Sequence, residues 1–505
     1  MNYKKAIKLI EENVLLIFII SLAAFLRFYQ LSEIAIFTFD EEHQFTIAQT
    51  IVKDFHLIWI GTSATNLGFY HGPFWVYFNA LWLKISADPA LTFYIGAFIG
   101  VVTTFLIWVV AKKLFDRKAA FVAALLYATL PLIVYHNQKF WNVNTIPLLA
   151  VIMIFFIYSS LRNPRWWVLF FAVFGLIFHT HLSLVPLGLV GVFFFLKQKF
   201  SINCKIFLLP VLTFFIVVSP LIVFDYFHNW SNITAPLRIN QVSSSDTSKI
   251  GNHLETFINT WGRIWYLKPG LSSEDEIPFA CGQIFNKEFP NYDFISIRTN
   301  PPIWLSIISA LILFYFLLKP STWKNFNTRI LALGLVSVIG PFILFPGGAF
   351  EYYLLGSFPL YLLAVGILIS RLPKQYFIFG LLPILVVCGL GAFTVMNINK
   401  EFGLGVKKQL INQVMETVGE EPFELINNGV CHRYDGWRYL FTVYGRTPER
   451  SDTDESLGWL YPEEITETKV NLKVIMSERK ILPTEDISKA NIIEGGGFKA
   501  YIIGK

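Results

Sequence analysis

A run of three carboxylates and an imidazole, Asp40-Glu41-Glu42-His43, is the part of the sequence best suited to acid–base chemistry. It precedes residues 44–55, whose apolar positions have helical spacing. A carboxylate within hydrogen-bond reach can take the proton of an attacking hydroxyl group, whereas acids at the start of a helix can also cap its positive end. We expect a chemical role for Asp40 and Glu41 and a capping role for Glu42 and His43.

Four cationic or protonatable side chains, Arg27, His71, Lys139 and His181, are candidates for binding a phosphate group. His71 begins a His-Gly-Pro turn that is followed by aromatic residues typical of a membrane interface. A lone histidine is more often structural than functional, and that alternative stays open for His71. The aromatic residues Trp141, Tyr352 and Tyr353 are likewise either substrate contacts or interface anchors.

The composition indicates where these residues must be held. Of the 505 residues, 54% are hydrophobic and only 15% are charged, and the mean hydropathy is +0.52. A soluble chain would carry nearer to a quarter charged residues. These values exclude a soluble enzyme, a disordered chain and a collagen-like fibre, so we predict a polytopic α-helical membrane protein.

About eleven apolar stretches are close to the roughly 20 residues that cross a bilayer as a helix. The ambiguous stretch 166–197 is too long for one helix, and Pro186 with the polar patch 179–181 favours two. The predicted spans are 13–31, 89–111, 119–136, 143–160, 166–181, 183–197, 206–227, 302–318, 330–347, 351–370 and 376–396.

Lysine and arginine recur in every second loop, as in the groups around Lys5, Lys113, Lys199 and Lys324. Because cytoplasmic loops carry the basic excess, this alternation predicts a cytoplasmic N-terminus and an external, or periplasmic, C-terminus. We therefore expect a multi-pass protein of the plasma (inner) membrane. The basic excess lies in short loops, so it does not indicate nucleic-acid binding.

The composition changes near residue 397, after which 14 basic and 17 acidic residues occur. We therefore predict a transmembrane catalytic domain over 1–396, with external loops 32–88 and 228–301, and a small external soluble α/β domain over 397–505. A helix is expected over 403–418 and strands near 423–426, 470–475 and 501–503. Cys281 and Cys431 both fall on the external side and can pair there, but their spacing does not decide it.

Several motifs on the external side resemble those of one family of membrane enzymes. They are Arg27, Phe39-Asp40-Glu41, His71-Gly72-Pro73, Phe140-Trp141-Asn142-Val143-Asn144, Thr180-His181, Ser219-Pro220, Phe224-Asp225, and Glu351-Tyr352-Tyr353-Leu354 with Pro359. Their order over residues 10–370 resembles the protein mannosyltransferase and aminoarabinose transferase branch of the GT-C glycosyltransferases.

The resemblance implies a GT-C-like bundle with external juxtamembrane helices and an active site at the outer membrane face. It implies transfer of a sugar from a polyprenyl-phosphate carrier to a lipid, glycan or protein acceptor, with Asp40 as general base and Glu41 beside it. Arg27, His71, Lys139 and His181 would bind the donor phosphate. Trp141, Asn142, Tyr352 and Tyr353 would line the substrate site.

The chain departs from the family pattern at two places. The loop 136–142 has no acidic residue, where related enzymes often have a second acid, so Glu41 is the alternative second carboxylate. His71 stands before the Gly-Pro pair, where the aminoarabinose transferases commonly have lysine. We expect no obligatory cofactor; a divalent metal is compatible with the superfamily but is not indicated by any ligand spacing.

Two other functions stay open at this stage. One is a transporter or flippase of lipid-linked glycans, which would be expected to show ionisable residues at the middle of the membrane or paired broken helices. The other is a non-catalytic subunit of glycan assembly, which would have no need of the Asp40-Glu41 pair. An assay with polyprenyl-phosphate sugars separates the three.

Overall fold

The structure is a computed structural model that describes most of the chain. The described residues are 3–65, 69–198, 204–242, 248–268, 301–345, 348–428, 436–466, 470–479 and 481–504. The pair Cys281 and Cys431 lies outside them.

Apolar helices make up most of residues 3–396, joined by short turns. The helices are α1 (Tyr3–Phe28), α2 (Leu31–Ile34), α3 (Phe39–Lys53), α4 (Phe74–Leu83), α5 (Ala90–Leu114), α6 (Arg117–Thr129), α7 (Pro131–Gln138), α8 (Ile146–Ser160), α9 (Trp166–Thr180), α10 (Val185–Lys197), α11 (Cys204–Phe227), α12 (Ser231–Val242), α13 (Ser248–Arg263), α14 (Ile303–Leu318), α15 (Pro320–Lys324), α16 (Phe326–Leu344), α17 (Ser357–Ser370) and α18 (Lys374–Met396). Strands β1 (Ser63–Thr65) and β2 (Phe69–Tyr70) form an antiparallel pair in the loop between α3 and α4.

Each of the eleven predicted spans coincides with one of these apolar helices or, for 119–136, with the pair α6 and α7. The stretch 166–197 is two helices, as predicted. By length and composition alone, five of the described helices can cross a membrane, or six if the bent pair α6–α7 is one span. Most of the other predicted spans contain apolar helices of 13 to 16 residues. They are short because a turn interrupts the apolar run, as His181 and a 3-10 turn do between α9 and α10.

The C-terminal part folds as a sheet with helices, which we call the C-terminal unit (residues 404–503). It comprises α19 (Leu404–Val418), β3 (Phe423–Asn428), α20 (Trp437–Tyr444), β4 (Arg450–Ser451), α21 (Asp454–Leu457), β5 (Leu472–Glu478), β6 (Asn491–Gly495) and β7 (Phe498–Ile503). The strand order is β4-β3-β5-β7-β6, with β3 parallel to both neighbours and β7 antiparallel to both of its own. The predicted small α/β fold is confirmed.

Helix α3 differs in extent from the helix that the spacing of residues 44–55 predicts. It begins at Phe39, five residues before the predicted start, and packs against α4. Phe45 is fully buried and lies against Phe140 of the bundle and Tyr439 of the C-terminal unit. The apolar face of α3 therefore belongs to a hydrophobic core shared with the C-terminal unit.

Candidate active site

The start of α3 determines where the three adjacent carboxylates point. Thr38 is the N-cap residue, and its backbone N–H and hydroxyl both donate to Glu41 Oε2, at 3.0 and 2.5 Å. This reciprocal capping box satisfies backbone donors that a helix start leaves without partners. Glu41 and Glu42 are buried by the same geometry, whereas Asp40 stays exposed. The carboxylate of Asp40 is therefore the one that can meet a substrate.

Glu41 and Glu42 have partners within the protein. Burial raises the pKa of Glu41, and the nearby Lys139 ammonium, 3.6 Å away, opposes that rise. Glu42 Oε1 accepts a hydrogen bond of 2.8 Å from the Tyr439 N–H, so Glu42 connects α3 to the C-terminal unit rather than capping its own helix. His43 is mostly buried, and burial lowers its pKa while Asp40 opposes the change.

A continuous row of aromatic and basic side chains begins at Lys139. The Lys139 ammonium lies 4.3 Å from the centroid of the Trp141 ring, a cation–π distance. The rings of Trp141 and Tyr352 meet edge to face, with their centroids 5.0 Å apart. The phenol of Tyr352 is near enough to the Asp40 carboxylate to interact with it electrostatically. Lys139, Trp141 and Tyr352 thus share one site with the candidate base.

The row continues through two imidazoles to the loop before α4. The centroid of the His181 ring lies 5.1 Å from that of the Tyr353 ring and 6.0 Å from that of the His71 ring. His71 is 5% exposed, and its Nδ1 has no hydrogen-bond partner among the residues that the structure describes. Burial, with a smaller contribution from His179, lowers the pKa of His71 to about 4. His71 is therefore a neutral imidazole at neutral pH, not a fixed positive charge.

The residue after His71 must be a glycine, because the backbone of Gly72 lies against the His179 ring. A Cβ atom at position 72 would lie 2.1 Å from the His179 ring, a separation that real Cβ atoms do not show. The Gly72 N–H also donates to the Phe178 carbonyl at 3.0 Å. The turn can therefore approach the end of α9 only without a side chain, and this approach brings His71 to His181.

A large apolar cavity opens beside the two histidines. Its volume is about 660 Å³, and its walls come from α9, α10, α11, α12 and α16. Phe214, Leu221 and Phe342 are typical of its lining, and the polar groups His71, His181 and Tyr353 lie at its edge. A cavity with this lining can hold a hydrocarbon chain, with the polar end of the same molecule at the histidines.

Arg27 does not belong to this site, contrary to its assignment as a donor-phosphate ligand. Its guanidinium is fully buried and donates to Asn137 Oδ1 and to the carbonyls of Ala23, Tyr127 and Ala128. The α6–α7 chain bends by 60° at Pro131, which has no N–H to donate to the Tyr127 carbonyl four residues earlier. Arg27 replaces that donor, so its role is structural.

Asn142 has a structural contact, and its role in lining the substrate site stays a prediction. It is buried, and its Nδ2 donates to the Thr180 carbonyl at 2.6 Å, which fixes the loop after α7 to the end of α9. Trp141, by contrast, is 9% exposed, and its indole Nε1 has no hydrogen-bond partner within the described part of the chain. Trp141 keeps its assignment to the substrate-lining set.

A buried ionic cluster that the sequence did not indicate lies next to Tyr352 and Tyr353. Glu351 Oε2 lies 3.0 Å from Arg263 Nε, and its Oε1 lies 3.3 Å from His136 Nε2. Arg263 and Glu351 are at most 9% exposed. Glu351 adjoins the quoted tyrosine pair, but nothing in the sequence pairs it with Arg263 of α13 or His136 of α7, because those contacts span tens to hundreds of residues.

The described ranges contain no cluster of side chains typical of a metal site. No group of three or more His, Cys, Asp and Glu side chains there could hold a metal ion.

Comparisons with known proteins give one family-model match and several structural matches. The family model described as dolichyl-phosphate-mannose-protein mannosyltransferase matches residues 70–224. No curated protein matches the sequence. Among solved structures, ArnT from Cupriavidus metallidurans bound to undecaprenyl phosphate has a TM-score of 0.61 at 11% identity. ArnT in the apo state has a TM-score of 0.59 at 12% identity, and both alignments cover 96% of this chain and 97% of the other.

The structural likeness extends over nearly the whole chain, and the family model matches the segment that contains His71, Trp141 and His181. At such low identity the ArnT structures establish the fold alone, and the family model matches residues 70–224 only. In its fold and in residues 70–224, the chain is therefore similar to the protein mannosyltransferase and aminoarabinose transferase branch of the GT-C glycosyltransferases, which confirms the predicted resemblance.

Proposed function

We propose that the chain is a membrane glycosyltransferase of the GT-C type that transfers a sugar from a polyprenyl-phosphate carrier to an acceptor at the external membrane face. One observation carries the proposal: the row of side chains that includes the exposed Asp40 carboxylate also includes His71 and His181, which line an apolar cavity of about 660 Å³. A lipid-linked sugar needs such a pairing, because its hydrocarbon chain and its reacting carbon must be held side by side.

In the proposed reaction, Asp40 accepts the proton of an acceptor hydroxyl as the hydroxyl oxygen attacks the anomeric carbon. The bond from that carbon to the phosphate oxygen breaks, and its electron pair leaves with the polyprenyl phosphate. Attack from the side opposite the phosphate gives inversion at the anomeric carbon. The leaving group needs positive charge and hydrogen-bond donors more than a strong acid.

Lys139, His71 and His181 are the residues that we assign to the departing phosphate. The ammonium of Lys139 is the only assigned group with a fixed charge, and Trp141 and Glu41 hold it beside the site. The imidazoles are neutral donors in the free protein, and an approaching phosphate would raise the pKa of His71 from about 4. Arg27 is left out of this set.

The direct test is a transfer assay with the purified full-length chain in detergent or lipid. Polyprenyl-phosphate sugars are supplied with candidate acceptors, and release of free polyprenyl phosphate is measured by mass spectrometry. A flippase or a scaffold subunit would release none. Failure of every donor and acceptor pair to give release above that of an Asp40→Asn control would refute the transferase assignment.

We further propose that transfer needs no obligatory metal ion, since the assigned cation is the Lys139 ammonium. Addition of EDTA to the same assay should leave the rate unchanged within about twofold. Loss of activity that Mg²⁺ or Mn²⁺ restores would overturn this point alone.

A further inference from the structure

The segment immediately before the candidate base is held by the C-terminal unit, at two carbonyl groups two residues apart. The Leu404 N–H at the start of α19 donates to the Ala35 carbonyl at 2.8 Å. The Lys407 ammonium, from the next turn of the same helix, donates to the Phe37 carbonyl at 2.9 Å. Phe37 is two residues before the first turn of α3, where Asp40 lies.

Lys407 is unusual among the lysines because it is 1% exposed. Removing an ammonium from water is costly unless the protein supplies compensating interactions. Here the ammonium lies 4.6 Å from the Trp437 ring centroid and 5.4 Å from that of Phe498, both inside the C-terminal unit. The unit thus buries a charge at the place where it contacts the segment that leads to Asp40.

A second set of contacts with this segment comes from the start of α20. Phe37 stacks on Tyr439 with ring centroids 5.3 Å apart, and the Tyr439 N–H donates to Glu42. Gly436 has a φ of +99°, and a Cβ there would lie 2.6 Å from the Phe37 ring. Only glycine permits this approach and this backbone conformation together.

We propose that the C-terminal unit positions the catalytic base, and that Lys407 is the principal positioning residue. Lys407 is not among the residues that line the substrate cavity; it acts by fixing the Phe37 carbonyl and therefore the direction in which α3 begins. The idea deepens the proposed function and rests on it.

The test is a double-mutant cycle in the purified full-length chain, with turnover and donor KM measured for each variant. Lys407→Met keeps the length of the side chain but removes its donor and its charge. Turnover should fall about 10- to 100-fold with donor KM within about twofold, because a misplaced base slows chemistry and leaves donor binding alone. In an Asp40→Asn background the same substitution should cost less than about threefold, since no base is left to misplace.

Lys408→Met is the matched control, since Lys408 is adjacent and has a side chain that is 51% exposed. Its ammonium lies 3.8 Å from Asp88 and 4.7 Å from the Tyr444 ring centroid, and such surface contacts contribute little. Its turnover should match the wild type. Wild-type turnover in folded Lys407→Met, or an undiminished loss in the Asp40→Asn background, would overturn the positioning role. If Lys407→Met does not fold, the shorter donor in Lys407→Gln is measured in the same cycle; if neither folds, the role is purely structural and the proposal fails.

A failure of the proposed function is separable from a failure of this inference. Wild-type turnover in Asp40→Asn alone would remove the base, whatever Lys407 does. A full effect of Asp40→Asn combined with independence from Lys407 would leave the base in place and remove only the positioning role.

Discussion

The three adjacent carboxylates have different fates at the residue scale, although their chemistry is the same. Glu41 is used by the capping box and Lys139, and Glu42 by the Tyr439 N–H. Asp40 is the exposed one. Helical geometry produces this division, because residues at successive positions of a first turn point in directions about 100° apart.

Asp40→Asn should therefore lower turnover by about a hundred- to ten-thousandfold, the usual contribution of a positioned acid–base group. Donor binding should persist, since the substitution removes a negative charge near a phosphate. Glu42→Gln should cost far less, because an amide oxygen can still accept the Tyr439 N–H. Steady-state kinetics of both purified variants measure the difference; equal losses would argue against Asp40 as the base.

His71 predicts a dependence of stability on pH. Burial lowers its pKa to about 4 from the usual histidine value of 6.5, so the folded protein binds this proton less readily than the unfolded chain does. The resulting stability is fully present above pH 6.5 and is lost as the pH falls towards 4, by roughly 3 kcal/mol in total. Thermal unfolding from pH 7 to 4 should show a steeper loss in the wild type than in His71→Asn, and parallel curves would contradict the shift.

Interrupted helices are the main structural device at the element scale. The bend between α6 and α7 leaves carbonyl groups without helical partners inside an apolar bundle, where an unsatisfied polar group is costly. Arg27 supplies the missing donors from α1. The bend in turn directs the end of α7 and the following Lys139 and Trp141 towards the site.

Arg27→Met should accordingly destabilise the protein rather than weaken donor binding selectively. Two backbone carbonyls and Asn137 would lose their donor, at about 1–3 kcal/mol for each buried group. Arg371→Met, at an exposed position at the end of α17, is the control and should change little. Fluorescence-detected thermal unfolding in detergent checks this, and a normal melting temperature with a raised donor KM would return Arg27 to the phosphate site.

On the scale of the whole molecule, the bundle and the C-terminal unit share a hydrophobic core through α3 and α4. The C-terminal unit therefore lies at the same end of the bundle as the candidate base. A surface network of Lys53, Glu464, Arg438 and Asp454 extends the contact, with Lys53 Nζ 2.5 Å from Glu464 Oε1. Exposed apolar side chains on α11, α14 and α18 face outward from the bundle, as expected towards lipid.

We propose that this shared side is external, and a topology experiment checks it. A reporter that is active only outside the cytoplasm should be active when fused after Lys505 and inactive when fused after Lys118, because basic loops stay in the cytoplasm. A reporter with the opposite compartment requirement provides the control. An inactive fusion after Lys505 would mean that the predicted number of membrane spans is wrong by an odd number.

The sequence by itself determined the apolar helices, the α/β C-terminal unit and the family motifs. These depend on local composition and spacing, which a chain shows without its fold. The tertiary structure decided the use of individual polar residues. Arg27 bonds to carbonyls about 100 positions away, and Lys407 donates to Phe37 across 370 positions. A motif can indicate that a buried charge matters, but its partner is set by packing, because only the folded chain brings distant backbone groups within hydrogen-bond reach.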